Sequence, residues 1–431
     1  MKIAIAGYGV EGKASFSYWH TPEHELTIVD ERASIDDLPE GVTTILGEGA
    51  FQQLNGFDMV VRTASLPPQN IITEGKIWSA TNEFFAKCPA PIIGVTGTKG
   101  KGTTASLIAS IFEAAGKTVW LLGNIGKPAL EVLSAIEPDH IVVYELSSFQ
   151  LWDIEKSPQA AVVLLIEPDH LNIHRDFDDY VDAKANIRRF QKEGDICVYH
   201  PTNEYSKQIV NASQQGKTVR YAIPDDGGVY IKEDAFYMSE HKICSVEALQ
   251  LIGQHNIENA CAAISVAKYY DIDDKAIERG LQQFKGLPHR IEFVRELDGV
   301  RYYNDSFSSA PSATIAALKS FTQPEIVILG GTDKGADFSE LVRTISEQPN
   351  IKTIICIGEI RQKLADLIQN VSSELAVEIA NVQDLQSIVE LAESFSAPGD
   401  VILLSPACAS FDMFKNFYDR GDQFRNIVNQ L

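Results

Sequence analysis

Residues 95–106, VTGTKGKGTTAS, have the composition and order of a loop that holds phosphate groups. They lie between an apolar run and a segment with helical periodicity, so their small residues would let backbone N–H groups converge on phosphate oxygens. Lys101 would open the helix, whose positive end points at the same anion. The common spacing GxxxxGKS/T is not met, because Gly102 follows the lysine, so a hydroxyl for magnesium must come from Thr103 or Thr104. The structural alternative is a glycine-rich loop that only turns the chain.

A second glycine motif lies near the start, where AGYGVEG, residues 6–12, matches GxGxxG after a strand-like run. Asp30 closes the next apolar run, at about the position of an acid that binds ribose. Taken alone, the motif predicts a dinucleotide such as NAD. Another phosphate-bearing ligand, and tight packing without a ligand, are the alternatives. Glu11 would place a carboxylate near a pyrophosphate, and Lys13 is the only obvious compensation in the sequence.

Two polar side chains follow apolar runs beyond the phosphate loop. Glu145 ends IVVYE, and His170 comes shortly after AAVVLLI. Because open α/β sheets collect ligands at the carboxyl ends of their strands, both are candidates for a site there. A buried carboxylate is costly unless it binds a metal or accepts hydrogen bonds. Glu145 is therefore a candidate metal ligand, and a structural ion pair is the alternative.

Size and charge limit the classes of protein to consider. The 431 residues are too many for one ordinary core and indicate roughly two to four domains. A net charge of -22 repels nucleic-acid backbones and anionic lipid surfaces, and no basic patch offsets it, so we expect no nucleic-acid partner and no membrane association. The first apolar run is too short for a signal peptide and none reaches membrane-spanning length, which predicts a cytoplasmic protein. The six cysteines lack CxxC spacing, which favours buried free thiols over a zinc site or disulfides.

The elements that must position these residues follow an alternating order. Strand-like runs alternate with helical patterns through most of the chain, which predicts α/β domains with parallel sheets. Composition and glycine and proline positions suggest three domains, residues 1–88, 89–286 and 287–431. Short alternating runs from about Cys197 to Val246 predict an antiparallel sheet within the second domain. A long amphipathic helix is predicted from about Asp412 to Asn429.

Further motifs occur in the order typical of the Mur ligases, and the chain resembles that family. They are YELSSFQL, EPDHLNIH, DAKANI, GQHNIENACAA, NDSFSSAPSATIAAL, GGTDKGADF and SPACASFDMFKNF. The resemblance covers the central and C-terminal parts densely and the first part thinly. It implies a Rossmann-like N-terminal domain that binds a UDP-sugar, a central P-loop ATPase-type domain, and a C-terminal Rossmann-like α/β domain that binds an amino acid.

The resemblance implies an ATP-dependent amide ligase that adds D-glutamate to UDP-N-acetylmuramoyl-L-alanine in cytoplasmic peptidoglycan precursor synthesis. Such a reaction fits the residues above, because a carboxylate is a poor electrophile until ATP converts it to an acyl phosphate. Two anions must then be brought together, which requires cations in a closed site. The implied cofactors are ATP and two Mg²⁺ ions, and the expected state is a monomer.

The resemblance also implies a role for individual residues. For ATP the implied residues are Gly97, Thr98, Lys99, Gly100, Lys101, Gly102, Thr103, Thr104, Asn256, Asn259, Arg290 and Asp305. For metal and catalysis they are Lys101, Glu145, His170, Lys184 in a carbamylated form, and the hydroxyl of Thr103 or Thr104. For the UDP-sugar they are Gly9, Val10, Gly12, Asp30, Arg32 and Asn124, and for D-glutamate they are Ser309, Lys334, Ser410 and Phe417.

Several of these residues have ordinary structural alternatives. Lys184, judged by its own segment, is a solvated lysine on an amphipathic helix. Ser410 and Phe417 could be the N-cap and a core aromatic residue of the last helix. Asn256 and Asn259 are amides suited to the base of ATP, whereas Arg290 and Asp305 could instead form junction ion pairs. His174 is a weak candidate for the base that deprotonates the amine.

The sequence departs from the family pattern at a few positions. Phe307 replaces the lysine that commonly follows the NDS motif, which removes a charge expected near the phosphates. Ser309 replaces a threonine, Glu11 stands where a small hydroxyl residue is usual, and ASLPPQN replaces a Ser-Pro-Gly turn. Contacts to ATP and to the nucleotide sugar are therefore the least defined part of the resemblance.

Three other interpretations remain from the sequence. One is a related ligase, of another Mur type or of the folylpolyglutamate type, whose phosphate loop is similar. Another is a nicotinamide-dependent oxidoreductase that uses the first glycine motif, although this leaves the second loop, Glu145 and His170 unexplained. A third is a nucleotide-binding relative without catalysis, for which Phe307 is the one indication.

Overall fold

The computed structural model describes residues 1–124, 127–224, 227–382 and 384–431. The chain divides into two compact units. The first contains Met1–Leu249 and Ile257–Phe284, and the second contains Gln250–Asn256 and Lys285–Leu431.

The first unit begins with a parallel sheet whose strand order, in the described residues, is β3-β2-β1-β4-β5. Its central strand is almost entirely buried, as the apolar run KIAIA predicts for a strand covered on both faces. The carboxyl ends of β1 and β2 therefore meet at one edge, where the first glycine motif begins. The elements are β1 (Lys2–Ala6), α1 (Val10–Trp19), β2 (Glu25–Asp30), β3 (Thr43–Leu46), β4 (Met59–Arg62), β5 (Lys76–Ser79) and α2 (Ala80–Lys87).

A second parallel sheet in the same unit carries the phosphate loop. Its order over the described residues is β11-β10-β9-β6-β8-β7, so the strand before the loop lies between the strands that precede Glu145 and His170. The strands are β6 (Ile92–Thr96), β7 (Val119–Gly123), β8 (Ile141–Glu145), β9 (Ala160–Val163), β10 (Ile196–Tyr199) and β11 (Lys217–Arg220). The helices are α3 (Lys101–Ala114), α4 (Ala129–Val132), α5 (Ser148–Leu151), α6 (Phe177–Arg189), α7 (Glu204–Val210), α8 (Gln254–Tyr269) and α9 (Asp274–Gln283).

The expected antiparallel sheet is present, but it is shorter than predicted. It consists of β12 (Val229–Lys232), β13 (Ala235–Met238) and β14 (His241–Ser245). The prediction from about Cys197 was wrong, because β10 and β11 pair in parallel with the large sheet. Short strands separated by turns have similar sequence patterns in parallel and antiparallel sheets. The direction of pairing depends instead on partner strands that are distant in sequence.

The second unit contains a sheet with the order β15-β16-β20-β17-β18-β19 in its described part. Only the pair β15 and β16 is antiparallel there, and the other pairs are parallel. The strands are β15 (Glu292–Leu297), β16 (Val300–Asn304), β17 (Glu325–Gly330), β18 (Ile351–Ile357), β19 (Ala376–Ile379) and β20 (Val401–Leu404). The helices are α10 (Pro311–Leu318), α11 (Ser339–Glu347), α12 (Arg361–Val371), α13 (Leu385–Ser394) and α14 (Phe417–Gln430).

The last helix begins five residues later than its amphipathic pattern predicts, at Phe417 instead of Asp412. The side chain of Asn416 caps it by accepting a hydrogen bond from Asp419 N at 3.0 Å. The carboxylate of Asp412 is bound to the Thr332 hydroxyl and to Glu359 N. These long-range bonds hold the preceding segment as a loop.

The predicted α/β class with parallel sheets is confirmed. The division into three domains stays a prediction, since the first two predicted domains both fall within the first compact unit. All six cysteines are free thiols, and all but the half-buried Cys88 are buried. Among the helices in the described ranges, none is long and apolar enough to cross a membrane.

One buried carboxyl group in the second unit serves no evident site. Glu325 begins β17 and has no exposed surface. Asn350 Nδ2 donates to its Oε1 at 2.7 Å, and Oε2 has no hydrogen-bond partner in the described part of the chain. Burial raises the pKa of Glu325 to about 8. The folded state therefore holds a proton that the unfolded chain releases at lower pH.

Glu325→Gln should stabilise the protein in alkaline solution. Because the folded pKa of Glu325 lies above its unfolded pKa, its unfavourable contribution is absent below about pH 4.5 and grows as the pH rises to about 8. Glutamine keeps the acceptor for Asn350 and removes the ionisation. We expect a gain on the order of a few kcal/mol in unfolding free energy at pH 8 and little at pH 5. Denaturant titrations at both pH values measure it, and an equal gain at both would contradict the assignment.

Candidate functional site

The phosphate loop connects β6 to α3, as the sequence predicts. Gly100 has a φ of 82°, which is the left-handed conformation that favours glycine. A Cβ atom there would lie 2.7 Å from Asn259 Oδ1, and one at Gly97 would lie 2.7 Å from Leu164 Cβ. No described side chain caps the amino end of α3. This end is thus open to an anion.

Lys101 lies over the loop that precedes it. Its Nζ atom donates to Gly97 O at 3.2 Å and to Thr98 O at 3.0 Å. The Thr98 hydroxyl is itself bound to Glu167 O and to the Tyr180 hydroxyl, both at 3.0 Å. The side chains around the loop are therefore ordered by the protein itself, and Lys99 is exposed beside them.

Two buried oxygens near the loop have no hydrogen-bond partner among the described residues, Thr104 Oγ1 and Glu145 Oε2. Strands β6 and β8 pair with Val95 opposite Glu145, so the carboxylate stands beside the strand that leads into the loop. Within the described ranges, no group of three His, Cys, Asp or Glu side chains is arranged to hold a metal ion. An oxygen-ligated cation that also takes phosphate or water ligands fits these orphaned oxygens. Gly102 is buried and Thr103 half-buried in the same turn.

Lys184 is not the solvated lysine that its segment suggested. Its side chain is buried on α6, and Nζ donates to Thr96 Oγ1 at 3.2 Å and to Gly97 O at 3.0 Å. Nζ also lies 4.7 Å from the centre of the Tyr180 ring. Burial, and then the positive charge of Lys101, hold the pKa of Lys184 well below its usual value. The site therefore favours the uncharged form of this amine more than solvent does.

His170 lies exposed in the segment after β9, whose last residue pairs with Thr96. Its φ of 54° is left-handed, and its ring centroid is 4.9 Å from that of Phe149. Its side chain is therefore available at the carboxyl edge of the sheet, as predicted. The structure gives no direct contact from His170 to Glu145 or Thr104.

His174 is buried among contacts with its own unit, and its role as a base stays a prediction. The ring is buried and stacks on Phe149 at 5.4 Å. Nδ1 is 2.9 Å from Asp179 Oδ2, and Nε2 is 3.0 Å from Ser148 Oγ, so both ring nitrogens are occupied. Burial lowers the pKa of His174 despite the neighbouring Asp179 carboxylate.

The two asparagines assigned to a nucleotide base belong to different units. Asn259 is buried in the first unit, next to the glycine that caps α3. Asn256 belongs to the second unit, where its Nδ2 donates to Ile252 O at 2.7 Å. The described contacts thus place Asn259 at the phosphate loop.

The first glycine motif forms a tight turn between β1 and α1. Gly7 has a φ of 91°, and a Cβ at Gly12 would lie 1.9 Å from Gly7 O, so the helix can approach the turn only with glycine there. Gly9 precedes the helix without a side-chain cap from the described residues, and Val10 is exposed. This amino end is also open to an anion.

Asp30 and Arg32 bracket that turn. Asp30 Oδ2 accepts from Tyr8 N at 2.8 Å, and Asp30 Oδ1 accepts from Arg32 Nε at 2.9 Å. Arg32 Nη2 also donates to Tyr8 O at 3.0 Å. The hydrogen bonds from Arg32 hold the pKa of Asp30 down to about 2. Asp30 is therefore a permanent acceptor that orders the turn.

The compensation predicted for Glu11 was wrong. Lys13 forms its ion pair with Asp37, whereas Glu11 Oε2 accepts from Ala64 N at 2.7 Å. Residues two apart on a helix point in different directions, so the sequence neighbour could not serve. Burial raises the pKa of Glu11, and the nearby Arg62 charge opposes this rise.

A pocket of about 210 Å³ opens within the first unit, beside Glu11. Its lining extends from the start of α1, beside the first glycine motif, to the carboxyl ends of β7 and β8. Residues 125 and 126 lie outside the described part of the chain. Its polar lining residues are Glu11, Asn124, Tyr144 and Gln150.

Arg62 is a central residue that sequence reasoning missed. Its side chain is fully buried at the end of β4, and Nε donates to Asp153 Oδ2 at 2.7 Å. Its other nitrogens donate to the carbonyls of Phe149, Ala64 and neighbouring residues. The only signal was an arginine that ends the apolar run MVVR. This guanidinium fastens the first sheet to the segment after β8.

In the second unit, Asp305 is buried just beyond β16. Ser405 Oγ donates to its Oδ2 at 2.7 Å, and Ile291 N donates to its Oδ1 at 3.2 Å. Burial raises the pKa of Asp305 to about 6, although these donors and Arg290 oppose the rise. The guanidinium carbon of Arg290 lies 3.8 Å from the Phe307 ring centroid.

The residues predicted for an amino acid lie on loops of the same unit. Lys334 and Ser309 are exposed, and Lys334 Nζ is 4.9 Å from the Phe411 ring centroid. Ser410 is buried, but it is not the N-cap of α14, which is Asn416. Phe417 is half-buried, so it is not a core aromatic residue. Loop-to-loop pairing of Thr332 with Ala409 joins the segments that carry Lys334 and Ser410.

Arg420 connects the loop that carries Ser309 to the one that carries Ser410, and sequence reasoning also missed it. The buried guanidinium donates from Nη2 to Ser306 O at 2.8 Å and from Nη1 to Cys408 O at 3.2 Å. Ser306 Oγ in turn donates to Phe417 O at 2.8 Å. Burial lowers the pKa of Arg420 to about 10. These contacts of Arg420 are structural. They connect the segments that carry three predicted site residues, Ser309, Ser410 and Phe417.

Comparison with known proteins gives consistent matches. Residues 95–267 match the Mur ligase middle domain, and residues 289–408 match the Mur ligase glutamate ligase domain. The chain is 37% identical over 452 residues to the UDP-N-acetylmuramoylalanine--D-glutamate ligase of Clostridium tetani, covering 100% of this chain and 97% of that protein. Solved structures with a similar fold include UDP-N-acetylmuramate-alanine ligase MurC of Thermotoga maritima, with a TM-score of 0.62 at 15% identity and coverage of 100% and 99%. MurF ligase of Thermotoga maritima in complex with ADP has a TM-score of 0.60 at 17% identity, with coverage of 99% and 94%.

Arg62→Met should destabilise the protein by on the order of 3 kcal/mol, because it leaves Asp153 and several carbonyls without their donor. Lys76→Met is the matched control, since Lys76 forms an exposed pair with Glu155, and should change stability by less than about 1 kcal/mol. Denaturant unfolding of both variants measures the difference. Equal effects would mean that the buried arginine does not secure this sheet.

Proposed function

This chain belongs to the Mur ligase family, and on that premise we propose that it joins D-glutamate to UDP-N-acetylmuramoyl-L-alanine with consumption of ATP. The relative from Clostridium tetani, similar over the full length, carries this activity in its name. The observation that carries the proposal is a pair of buried oxygens without a partner among the described residues, Thr104 Oγ1 and Glu145 Oε2, beside a helix end that no described side chain caps. Such a site suits a magnesium–nucleotide complex.

The proposed chemistry has two steps. A carboxylate oxygen of the UDP-sugar attacks the γ-phosphorus of ATP, the bond to ADP breaks, and an acyl phosphate forms. The amine of D-glutamate then attacks the carbonyl carbon, a C–N bond forms, phosphate leaves, and the amine loses a proton. Lys101 and the N–H groups at the start of α3 hold phosphate oxygens during both steps. The proposal assigns no residue as the base that accepts this proton.

Magnesium, when bound, would reduce the repulsion between the substrate carboxylate and the phosphates. Thr104 and Glu145 are the ligands whose oxygens lack other partners, and we propose His170 and Thr103 as further members of the set. Two ions are proposed, one held with ATP and one with the acid substrate.

Lys184 supports a carbamate in this site. Its amine is buried and its pKa is lowered, which favours the unprotonated form that is nucleophilic. Attack on carbon dioxide forms an N–C bond and releases a proton, which converts the amine to a carboxylate. A negative group at this point would complement the cations that the reaction requires.

We propose that the pocket in the first unit takes part of the UDP-sugar. Gly9, Val10 and Gly12 present the open helix end for its pyrophosphate, and Asn124 lines the pocket. Asp30 and Arg32 are proposed to face the uracil end. The pocket also contains Glu11, whose carboxylate would face neutral donor groups rather than the phosphates.

In the second unit, D-glutamate is proposed to bind Lys334, Ser309, Ser410 and the backbone near Phe417. Lys334 supplies a positive charge for a carboxylate, and the hydroxyls can donate to oxygens. Arg290 is proposed for the γ-phosphate and Asp305 for the ribose, with Gly97–Lys101, Gly102, Asn256 and Asn259 around the nucleotide.

The proposed partners are three small molecules, and we propose a monomer. Nucleotide triphosphates and UDP-sugars are cytoplasmic metabolites, so the proposed place of action is the cytoplasm.

The proposal is tested by ADP release from purified protein with ATP, magnesium, UDP-N-acetylmuramoyl-L-alanine and a panel of amino acids. Release should require both the UDP-sugar and D-glutamate. Activity with only L-amino acids or with a folate would assign another ligase of this type. Tight binding of NADH to the first unit would favour the oxidoreductase interpretation of the first glycine motif.

Glu145→Gln and Thr104→Val should each weaken divalent-ion binding by about 10-fold or more, because each removes an oxygen that has no other described partner. Mn²⁺ binding in the presence of ADP, followed by electron paramagnetic resonance, measures this without turnover. Ser106→Ala is the matched control, since Ser106 Oγ is another buried hydroxyl of α3 without a described partner. Loss of binding in the control, or normal binding in both variants, would contradict the assignment.

A further inference from the structure

His174 lies between two helices of the first unit and contacts both through its imidazole ring. Nε2 is 3.0 Å from Ser148 Oγ at the start of α5. Nδ1 is 2.9 Å from Asp179 Oδ2 in the first turn of α6. The His174 side chain has no exposed surface, so both hydrogen bonds form in a low-dielectric environment, where they are stronger than in water. The ring therefore joins the two helices.

Aromatic contacts hold the His174 ring in the same orientation. The ring stacks on Phe149, with centroids 5.4 Å apart and planes at 12°, and its centroid lies 4.4 Å from that of Trp152. The Tyr180 ring meets it edge to face at 5.3 Å. Phe149 belongs to α5, Trp152 follows that helix directly, and Tyr180 belongs to α6. The packing thus joins the same two elements as the hydrogen bonds.

The same residue ends the exposed turn that carries His170. Ile173 N and His174 N both donate to His170 O at 3.0 Å, which closes the turn. His170 has a left-handed φ of 54°, and its Nε2 is 3.6 Å from Asp169 Oδ2. Leu171 and Ile173, between the two histidines, are 48% and 38% exposed, so their side chains give the turn little apolar packing. The buried ring of His174 therefore anchors this turn on the protein.

Asp179, His174 and Ser148 are linked in the order of a hydrolase triad, but their burial argues against hydrolysis. Ser148 and His174 are buried, so a substrate carbonyl would have no access to the hydroxyl. The linked groups instead connect three segments at one edge of the sheet. These are the segment that follows Glu145, the turn after β9, and the helix that carries Lys184. Each segment carries a residue of the proposed ion site.

We propose that His174 is a positioning residue that holds the His170 imidazole at the carboxyl edge of the sheet that carries the phosphate loop. Phe149 contributes to the arrangement, because its ring contacts both imidazoles, that of His174 at 5.4 Å and that of His170 at 4.9 Å. Removal of the Ser148 hydroxyl leaves Nε2 of His174 without this partner and loosens the turn. The inference rests on the proposed function, in which His170 joins Glu145 in binding the ion.

Ser148→Ala tests this role while leaving the ring in place. We expect the affinity for Mn²⁺ in the presence of ADP to fall by roughly 10-fold, as for loss of a group that orients a metal ligand. Ser265→Ala is the matched control, since Ser265 is a buried serine of the same unit whose hydroxyl bonds Cys261 O and Val229 N. Denaturant unfolding gives the stability that each variant loses. Native Mn²⁺ affinity in Ser148→Ala, or an equal fall in the control, would overturn the proposal.

A double-mutant cycle identifies the hydrogen bond as the cause. His174→Asn keeps an amide nitrogen close to the position of Nδ1, so it can still donate to Asp179, but it lacks Nε2. It should weaken Mn²⁺ binding about as much as Ser148→Ala does. In the His174→Asn background, Ser148→Ala should have less than half of its own effect, because both changes remove the same bond. Full additivity of the two changes would overturn the proposal.

Failure of the proposed function would give a different result. A native protein that binds no Mn²⁺ with ADP and releases no ADP would refute the proposed function and its ion site. Crystal structures of the native protein and of Ser148→Ala, both without metal, would then decide the positioning role. We expect the His170 ring to be displaced by about 1 Å or more in the variant, which exceeds the tolerance of a functional site. An unchanged His170 ring would overturn the proposal.

Discussion

The first unit depends on ionisable groups that are buried at the carboxyl edge of the sheet that carries the phosphate loop. Lys184 is buried against Gly97 O, and Lys101 lies close enough to lower its pKa, so two amines share one loop. Glu145 ends the adjacent strand with one oxygen unpartnered in the described structure. The whole chain has a net charge of -22. The charges at this sheet edge nevertheless have the larger effect on a nearby ion, because charge interactions are stronger in a low-dielectric environment than across solvent.

The first glycine loop also contains a buried charged group, and different residues compensate its charge. Its own carboxylate, Glu11, is bound to Ala64 N and lies near the buried Arg62, so it is compensated without Lys13. Arg62 also joins the first sheet to the segment that contains Asp153. One buried cation thus joins two sheets and limits the negative potential beside the amino end of α1, which no described side chain caps. An arginine suits this double task, since its planar group can donate to several acceptors at once.

The accuracy of the predictions from sequence depended on how far apart in the chain the interacting residues are. Strand order at a parallel sheet edge is a strong constraint, so Glu145 and the phosphate loop were placed correctly from pattern alone. Lys184 could be placed only through resemblance, because its burial comes from packing of α6 on a distant loop. Lys13 failed as a partner of Glu11 because neighbours two apart on a helix diverge. The start of α14 failed because Thr332 and Glu359, far away in sequence, hold Asp412 in a loop.

The second unit holds its cations by two kinds of contact. Each of the three Arg420 nitrogens donates to a backbone carbonyl or a hydroxyl, so this guanidinium is part of the structural framework. Lys334 and Arg290, the cations proposed to meet substrate, lie instead against the rings of Phe411 and Phe307. A ring face restrains a cation through its quadrupole and occupies no N–H group. The Lys334 and Arg290 side chains thus share one kind of contact, a cation close to an aromatic ring, although they lie on different loops of the unit.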